Sequence, residues 1–249
     1  MAKVIPSNWQ SMDAIGAAQR ELEMMRFALL FTLLTCLAGV VGAQERSLSP
    51  GINRNYQNPD YAQWQAAFES EGREIFEQRH AIVDALKIKP GTVVADVGAG
   101  TGVLSLLFAQ KVGPGGTVIA QDIAPEFLRG IEERARKAGL SQLRTALGRE
   151  KDARLPANSV DLVFTSDTYH HFEYPQAMLA SLHAALKPGG RLIIIDYEKI
   201  PGRSSSWVLG HVRADRETVI AEITSAGFEL ESRTHDFLRE NYFLEFRRP

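Results

Sequence analysis

From Thr92 onward, short apolar runs alternate with longer stretches in which apolar positions recur every three or four residues. The runs at 92–97, 117–122, 143–147, 160–166 and 191–196 predict strands, and the helical period predicts helices over about 102–112, 125–137 and 175–186. Runs such as "DLVFTS" and "RLIIID" show no polar alternation, which is expected when helices cover both faces of a parallel sheet. Pro125 fits a first helical position, and Gly139 and Gly189-Gly190 follow helix ends. A last helix over 215–226, opened by Asp215 and closed by Gly227, leads into "FELESR" and "NYFLEF", two strands expected to form a closing hairpin. Upstream, Ile75, Phe76, Ile82, Val83 and Leu86 place a helical stretch over about 60–86, with a break at Gly72 and an end at Pro90-Gly91. Together these predict one doubly wound α/β domain over 60–249. Its sheet is mostly parallel, of about seven strands, with a C-terminal antiparallel hairpin.

The N-terminus follows a different pattern. From Phe27 the chain reads "FALLFTLLTCLAGVVGAQE", uncharged until Glu45. The apolar core 27–41 follows Met24-Met25-Arg26 and precedes a small-x-small site ending at Ala43, the layout of a signal peptide. At ~1.5 Å per residue the core reaches roughly 23 Å, short of a ~30 Å hydrocarbon layer. Residues 1–43 are therefore expected to be a leader cleaved near Ala43, with export to the periplasm or medium; an uncleaved membrane anchor is the alternative. Met24 or Met25 is a more natural start than Met1. Residues 44–59, "QERSLSPGINRNYQNP", are polar with prolines and read as a linker.

Composition narrows the picture. The chain of 249 residues is 45% hydrophobic and 23% charged, which suits one medium domain with an extension. A net charge of −2 gives no basic footprint for nucleic acid. The single cysteine, Cys36, lies in the leader, so the chain from Gln44 has no disulfide, thiolate metal site or cysteine nucleophile.

The stretch "VVADVGAGTGVLS" places Gly98, Gly100 and Gly102 directly after the first strand of the sheet. Glycine there permits positive φ and removes side chains that would hold a ligand off the backbone. The next helix aims its free N–H groups at the same place. A dinucleotide fingerprint fails, because its sixth position is Val103. What stands from Asp96 to Gly102, D-x-G-x-G-x-G, resembles the first motif of the class I S-adenosylmethionine-dependent methyltransferases. Three further segments agree in order and spacing. "TVIAQD" ends at Asp122, "GREKDARLPANSVDLVF" resembles the acidic-x-LP segment before strand four, and "ALKPGGRLIIID" resembles the family's helix–turn–strand-five segment. The likeness runs from about Arg73 to the C-terminus and is nearest to small-molecule enzymes, including the ubiquinone/menaquinone C-methyltransferase type.

That resemblance implies a Rossmann-like methyltransferase fold and S-adenosyl-L-methionine as cofactor. It implies cofactor contacts from Asp96, Gly98, Ala99, Gly100 and Gly102 in the loop. Asp122, followed by Ile123, would accept hydrogen bonds from the ribose hydroxyls. Asp152 would contact the adenine amine; the spacing to Leu155-Pro156 is one residue short, so Glu150 stays open for that role.

In-line transfer from a sulfonium needs positioning, a dry site and sometimes a base. After strand four, "TSDTYHHF" offers Asp167, Tyr169 and His170 as catalytic candidates, with His171 beside them. Histidine titrates near pH ~6.5 and can take a proton from a hydroxyl or thiol. Equally, the first histidine packs under the next helix and the second only shapes the pocket mouth. Tyr197 would line the acceptor pocket. Arg73, Glu74, Arg79, His211 and Arg213 read first as solvated or capping residues, with Arg213 kept as an anchor for an acidic acceptor. No metal-ligand set is assigned. Asp167 and Asp196 admit a minor catechol-type magnesium reading, although Tyr197 stands where those enzymes usually present asparagine. Cytosine C5 and arsenite methylation use protein cysteines, and the motif of amino-methylating DNA enzymes is missing. The expected partner is a small-molecule methyl acceptor, with no nucleic acid and with membrane contact only through an uncleaved leader. Because the donor is made in the cytosol, an exported cofactor-binding or sensor module without turnover is the rival reading.

Overall fold

The computed structural model describes residues 46–232 and 236–249, and the leader expectation for 1–43 lies outside them. Helix α1 (Tyr61–Phe68) begins where the Asp60 carboxylate accepts from the Gln63 N–H at 3.0 Å, and two short helices follow, α2 (Glu74–Glu77) and α3 (Arg79–Ala85). The expected helical stretch is thus three pieces, broken around Gly72, which adopts φ +86°.

Then come β1 (Val93–Val97), α4 (Val103–Val112), β2 (Thr117–Asp122), α5 (Pro125–Lys137), β3 (Leu143–Leu147), β4 (Val160–Ser166), α6 (Pro175–Ala185) and β5 (Leu186–Tyr197). Pro125 and Pro175 both sit in the first turn of their helices, where the missing N–H costs nothing. The chain closes with α7 (Ser206–His211), α8 (Arg216–Ser225), β6 (Glu229–Ser232) and β7 (Asn241–Arg247).

The seven strands lie in the order β3-β2-β1-β4-β5-β7-β6. The first five run parallel, and β7 pairs antiparallel with both β5 and β6. The doubly wound sheet and its C-terminal antiparallel hairpin therefore stand as read from the sequence. The largest boundary difference is in β5, which starts at Leu186 rather than 191, with a register irregularity opposite Val160–Leu162.

Alternate residues of each central strand feed opposite cores. Ala95, Val97, Leu192 and Ile194 pack with Leu179, Leu182 and Ile223 of α6 and α8. Val94, Ile193 and Ile195 pack with Ile82, Phe108 and Ile131 of α3, α4 and α5. This two-sided burial explains the continuous apolar runs.

Residues 46–59 correct the linker expectation. They form a strap bound to the domain: the Leu48 N–H donates to the Glu173 carbonyl (2.9 Å), the Gly51 N–H to Glu173 Oε1 (3.0 Å) and the Ser47 hydroxyl to Glu173 Oε2 (2.6 Å). Arg46, Arg54, Gln57 and Asn58 stay exposed, so the polar composition that reads as a linker is the strap's outer face.

Candidate active site

In a sheet of this order ligands gather beyond the C-terminal strand ends, where the winding reverses between β1 and β4. A cavity of about 480 Å³ opens there. Its floor is the loop after β1, including Gly98, Ala99, Gly100 and Thr101. Asp122 and Ile123 form the β2 side, and Glu150 enters from the loop after β3. Asp167, His170 and His171 follow β4, and Tyr197 ends β5. Asn53 and Tyr56 from the strap and Trp64, Phe68 and Arg73 from the leading helices complete the enclosure.

The glycines earn their place mainly through packing. Gly98 has φ +71°, and a Cβ there would fall 2.2 Å from Thr168 Cγ2. Gly102 has φ +77° and caps α4; a Cβ there would fall 2.5 Å from Ile131 Cγ1. Gly98, Ala99 and Gly100 line the cavity, and Gly102 sits just behind it between Thr101 and Val103. The loop is tied to α1, since the Tyr61 hydroxyl donates to the Thr101 carbonyl at 2.8 Å and the Thr101 hydroxyl donates to Glu69 at 2.9 Å.

Asp96 lies one residue before the end of β1, in register with Ala120, and Asp122 ends the neighbouring β2. Asp96 is buried, accepts from the Ser105 hydroxyl, and is pushed up to about 7 by loss of solvation, with the Asp122 charge adding to the shift. Burial also pushes Asp122 up to about 6, against the backbone N–H groups of Ala124 and Gly100, each 2.9 Å from one of its oxygens. A carboxylate has about four lone-pair sites, so Asp122 keeps acceptor capacity toward the cavity.

After β4 the chain turns at Asp167, which holds a left-handed φ of +47°. Its carboxylate lies on the cavity wall but is engaged by Arg73 Nη2 at 2.8 Å and Asn241 Nδ2 at 2.6 Å. Burial pushes it up to about 6 against the opposing Arg73 charge. His170, on the 3-10 turn Tyr169–His171, has its Nδ1 2.7 Å from Asp196 Oδ1 and donates its backbone N–H to Asp196 Oδ2 at 3.0 Å. Burial works against charge on the imidazole, but the Asp196 carboxylate outweighs it and moves His170 upward. Burial would raise Asp196, and contact with His170 brings it below the usual carboxylate value instead. His170 Nε2 is buried with no partner. His171 is pushed down to about 3 by burial, then by the neighbouring His170 and His211.

Three expected residues fall elsewhere. Tyr169 is 1% exposed, points into the core and donates its hydroxyl to Glu222 at 2.8 Å, so it is no catalytic residue. Arg213 grips the same Glu222 through two nitrogens at 2.7 and 2.8 Å and offers no anchor to an acceptor. Asp152 is exposed, does not line the cavity, and accepts from the Arg154 N–H and the Ser181 hydroxyl; Glu150 takes the place on the wall. The magnesium reading also loses its ligands, since Asp196 is committed to His170 and the Tyr197 N–H, and Asp167 to Arg73 and Asn241.

His211, read as a cap, instead joins His170 and His171 on the cavity wall, backed by the ring of Trp207 at 4.6 Å. The strap and Phe68 were likewise missed. Their signal was the aromatic series Tyr56, Tyr61, Trp64 and Phe68, dense for a segment otherwise read as a linker and the start of the leading helix.

Known proteins point the same way. A family model described as a methyltransferase domain matches residues 88–241. Nocamycin O-methyltransferase of Saccharothrix syringae is 32% identical over 59% of this chain and 52% of its own length. A ubiquinone/menaquinone biosynthesis C-methyltransferase of Hydrogenovibrio crunogenus is 32% identical over 49% of this chain and 48% of its own. The chain thus spans about half the length of the curated relatives it matches. A solved S-adenosylmethionine-dependent methyltransferase of Aquifex aeolicus shares the fold, with a TM-score of 0.68 at 24% identity over 77% of this chain and all of that one.

Proposed function

This chain belongs to the class I S-adenosylmethionine-dependent methyltransferases, and we propose that it methylates a small-molecule acceptor lodged against the histidine wall of the cavity. The observation that carries the proposal is one enclosure holding both halves of the reaction. The glycine loop with Asp122 forms one side, and His170, His171, His211 and Tyr197 form the other.

The residues present fit the cofactor. Asp122 is a buried carboxylate with spare lone pairs at the mouth of the loop, suited to two ribose hydroxyls. Ile123 and Phe127 give an apolar flank, and Glu150 supplies an acceptor for an exocyclic amine. When bound, the cofactor supplies an electrophilic methyl on a sulfonium. The protein's own part is to exclude water with the strap and the Phe68–Trp64 pair, and to aim the acceptor. For an oxygen, nitrogen or sulfur acceptor it also draws off a proton through the imidazole wall, where Asp196 fixes the orientation of His170.

Isothermal titration with S-adenosylhomocysteine tests the cofactor half, and a labelled-methyl screen across thiols, phenols and quinones tests the acceptor half. Failure to bind S-adenosylhomocysteine removes the reading. Tight binding with no methyl moved to any acceptor turns it into a binding module. For location, among the described residues no helix is long and apolar enough to cross a membrane. The proposal remains export with cleavage near Ala43, which N-terminal sequencing of the protein recovered from cells decides.

A further inference from the structure

The geometry points to a site for a divalent transition-metal ion of the zinc class, held by His170, His171 and His211 and open toward the cavity. One ring nitrogen from each histidine lies within 4.8 Å of the other two. The ring centroids are 4.3, 5.2 and 5.3 Å apart. Tetrahedral zinc with ligands at ~2.0–2.1 Å asks for nitrogens roughly 3.4 Å apart, so small ring rotations close the gap.

Two lone nitrogens make the arrangement unusual. His170 Nε2 and His171 Nδ1 are both buried and have no hydrogen-bond partner. Buried polar atoms are nearly always satisfied, and of the seven left over among the described residues these two belong to side chains that line the cavity together. His170 also carries the orientation that metal-binding histidines show. Its Nδ1 is held by the Asp196 carboxylate at 2.7 Å, which fixes the ring and leaves Nε2 for the ion.

The other two ligands are built in as well. Asn53 Nδ2 donates to the His171 carbonyl at 3.1 Å, and the Tyr56 ring meets the His171 ring edge-on at 5.1 Å. His211 ends α7, whose start is capped by Ser205, and stacks on Trp207 with 22° between the rings. Three imidazoles with a fourth position facing a cavity make an open zinc-type site rather than a closed structural one. Imidazole donors select zinc, cobalt, nickel or copper over magnesium and calcium. This inference stands on the histidines and does not require methyl transfer. With an ion bound, the free ring nitrogens are its ligands, and the base role proposed for the imidazole wall belongs to the metal-free protein. Only the further consequence, that an acceptor would ligate through oxygen, nitrogen or sulfur, rests on the proposed function.

The test uses the untagged full chain, stripped with a chelator and dialysed. Zinc binding is measured by calorimetry, and cobalt(II) substitution by visible absorption. The expected result is one zinc per chain and the intense cobalt bands of a four- or five-coordinate site. His171→Ala and His211→Ala should each weaken zinc binding by at least about 100-fold and erase the cobalt bands. Both should keep the secondary structure of the wild type by circular dichroism, which shows the fold intact, and His171→Ala should melt somewhat lower because its ring packs on Tyr56 and His211. His183→Ala, outside the cavity, should bind zinc like the wild type. A stripped chain that takes up no stoichiometric zinc overturns the inference, as does binding that survives both His171→Ala and His211→Ala.

Discussion

Asp122 has two duties, since it holds the loop through the Gly100 N–H and presents a carboxylate to the cavity. Asp122→Asn keeps one oxygen, for the Gly100 or the Ala124 N–H, and sets its amide NH2 against the other donor, so the free protein's melting temperature is measured beside the binding. A hydrogen bond to a charged group contributes about 1.5–3 kcal/mol, so S-adenosylhomocysteine should bind roughly 10- to 100-fold more weakly by calorimetry, beyond whatever loss the lowered melting temperature of the loop accounts for. An unchanged affinity would take the ribose away from this residue. Asp96 differs, because its burial raises it to about 7 and its partner is an internal hydroxyl. A carboxyl raised above its unfolded value holds its proton better in the folded state. Stability is therefore present at low pH and lost as pH climbs from about 4 to about 7. The loss has a ceiling of about 1.4 kcal/mol per pH unit. In cofactor-free protein, the melting temperature of Asp96→Asn relative to wild type should rise across that window and level off above it. A difference that stays flat with pH would show that Asp96 is not held protonated. These two aspartates were legible in sequence because the end of a strand has a fixed place in this sheet, Asp122 closing β2 and Asp96 standing one residue short of the end of β1. Tyr169 and Asp152 were not: their side-chain directions depend on Glu222 in α8 and Ser181 in α6, partners far along the chain.

At the scale of elements, the loop after β1 is shaped by what lies against it. Thr168 fills the space a side chain at position 98 would need, and its hydroxyl is tied to the Ser166 carbonyl at 2.8 Å, so it cannot simply swing aside. Gly98→Ala would add a left-handed backbone penalty of roughly 1–2 kcal/mol to a steric penalty of about 1–3 kcal/mol. Calorimetric melting should fall by roughly 5–15 °C. Gly115→Ala, where an added Cβ meets nothing within 4 Å, should stay near wild type. Pairing Gly98→Ala with Thr168→Gly should recover part of the loss; no recovery would mean the steric account is wrong. The glycine triplet and its positive φ values were visible in sequence, and the neighbours that crowd Gly98 and Gly102 were not. Apolar periodicity locates strands and helices, yet it does not say whether a bare α-carbon faces a ligand or a neighbouring threonine. The same limit hid the histidine cluster, because α7 brings His211 back across about forty residues to meet His170 and His171.

For the whole molecule, the compact unit runs from Arg46 to Pro249, so the strap is part of it and the sequence-based boundary at 60 falls inside the folded domain. Glu173 is 7% exposed and receives three of the strap's hydrogen bonds, while the Asn53 side chain bonds the His171 carbonyl. Four such bonds at roughly 0.5–1.5 kcal/mol each put the strap's contribution at about 2–6 kcal/mol. Cutting it away would also leave the buried Glu173 carboxylate without those partners. A chain beginning at Gln44 should therefore match the full chain in melting temperature and bind S-adenosylhomocysteine within about twofold of it. A chain beginning at Asp60 should melt lower and bind the same ligand at least about tenfold more weakly, because Asn53 and Tyr56 leave the cavity wall. Equal behaviour of the two truncations would return residues 46–59 to the status of a linker. A defect shared by both would instead move the boundary of the functional unit upstream of Gln44.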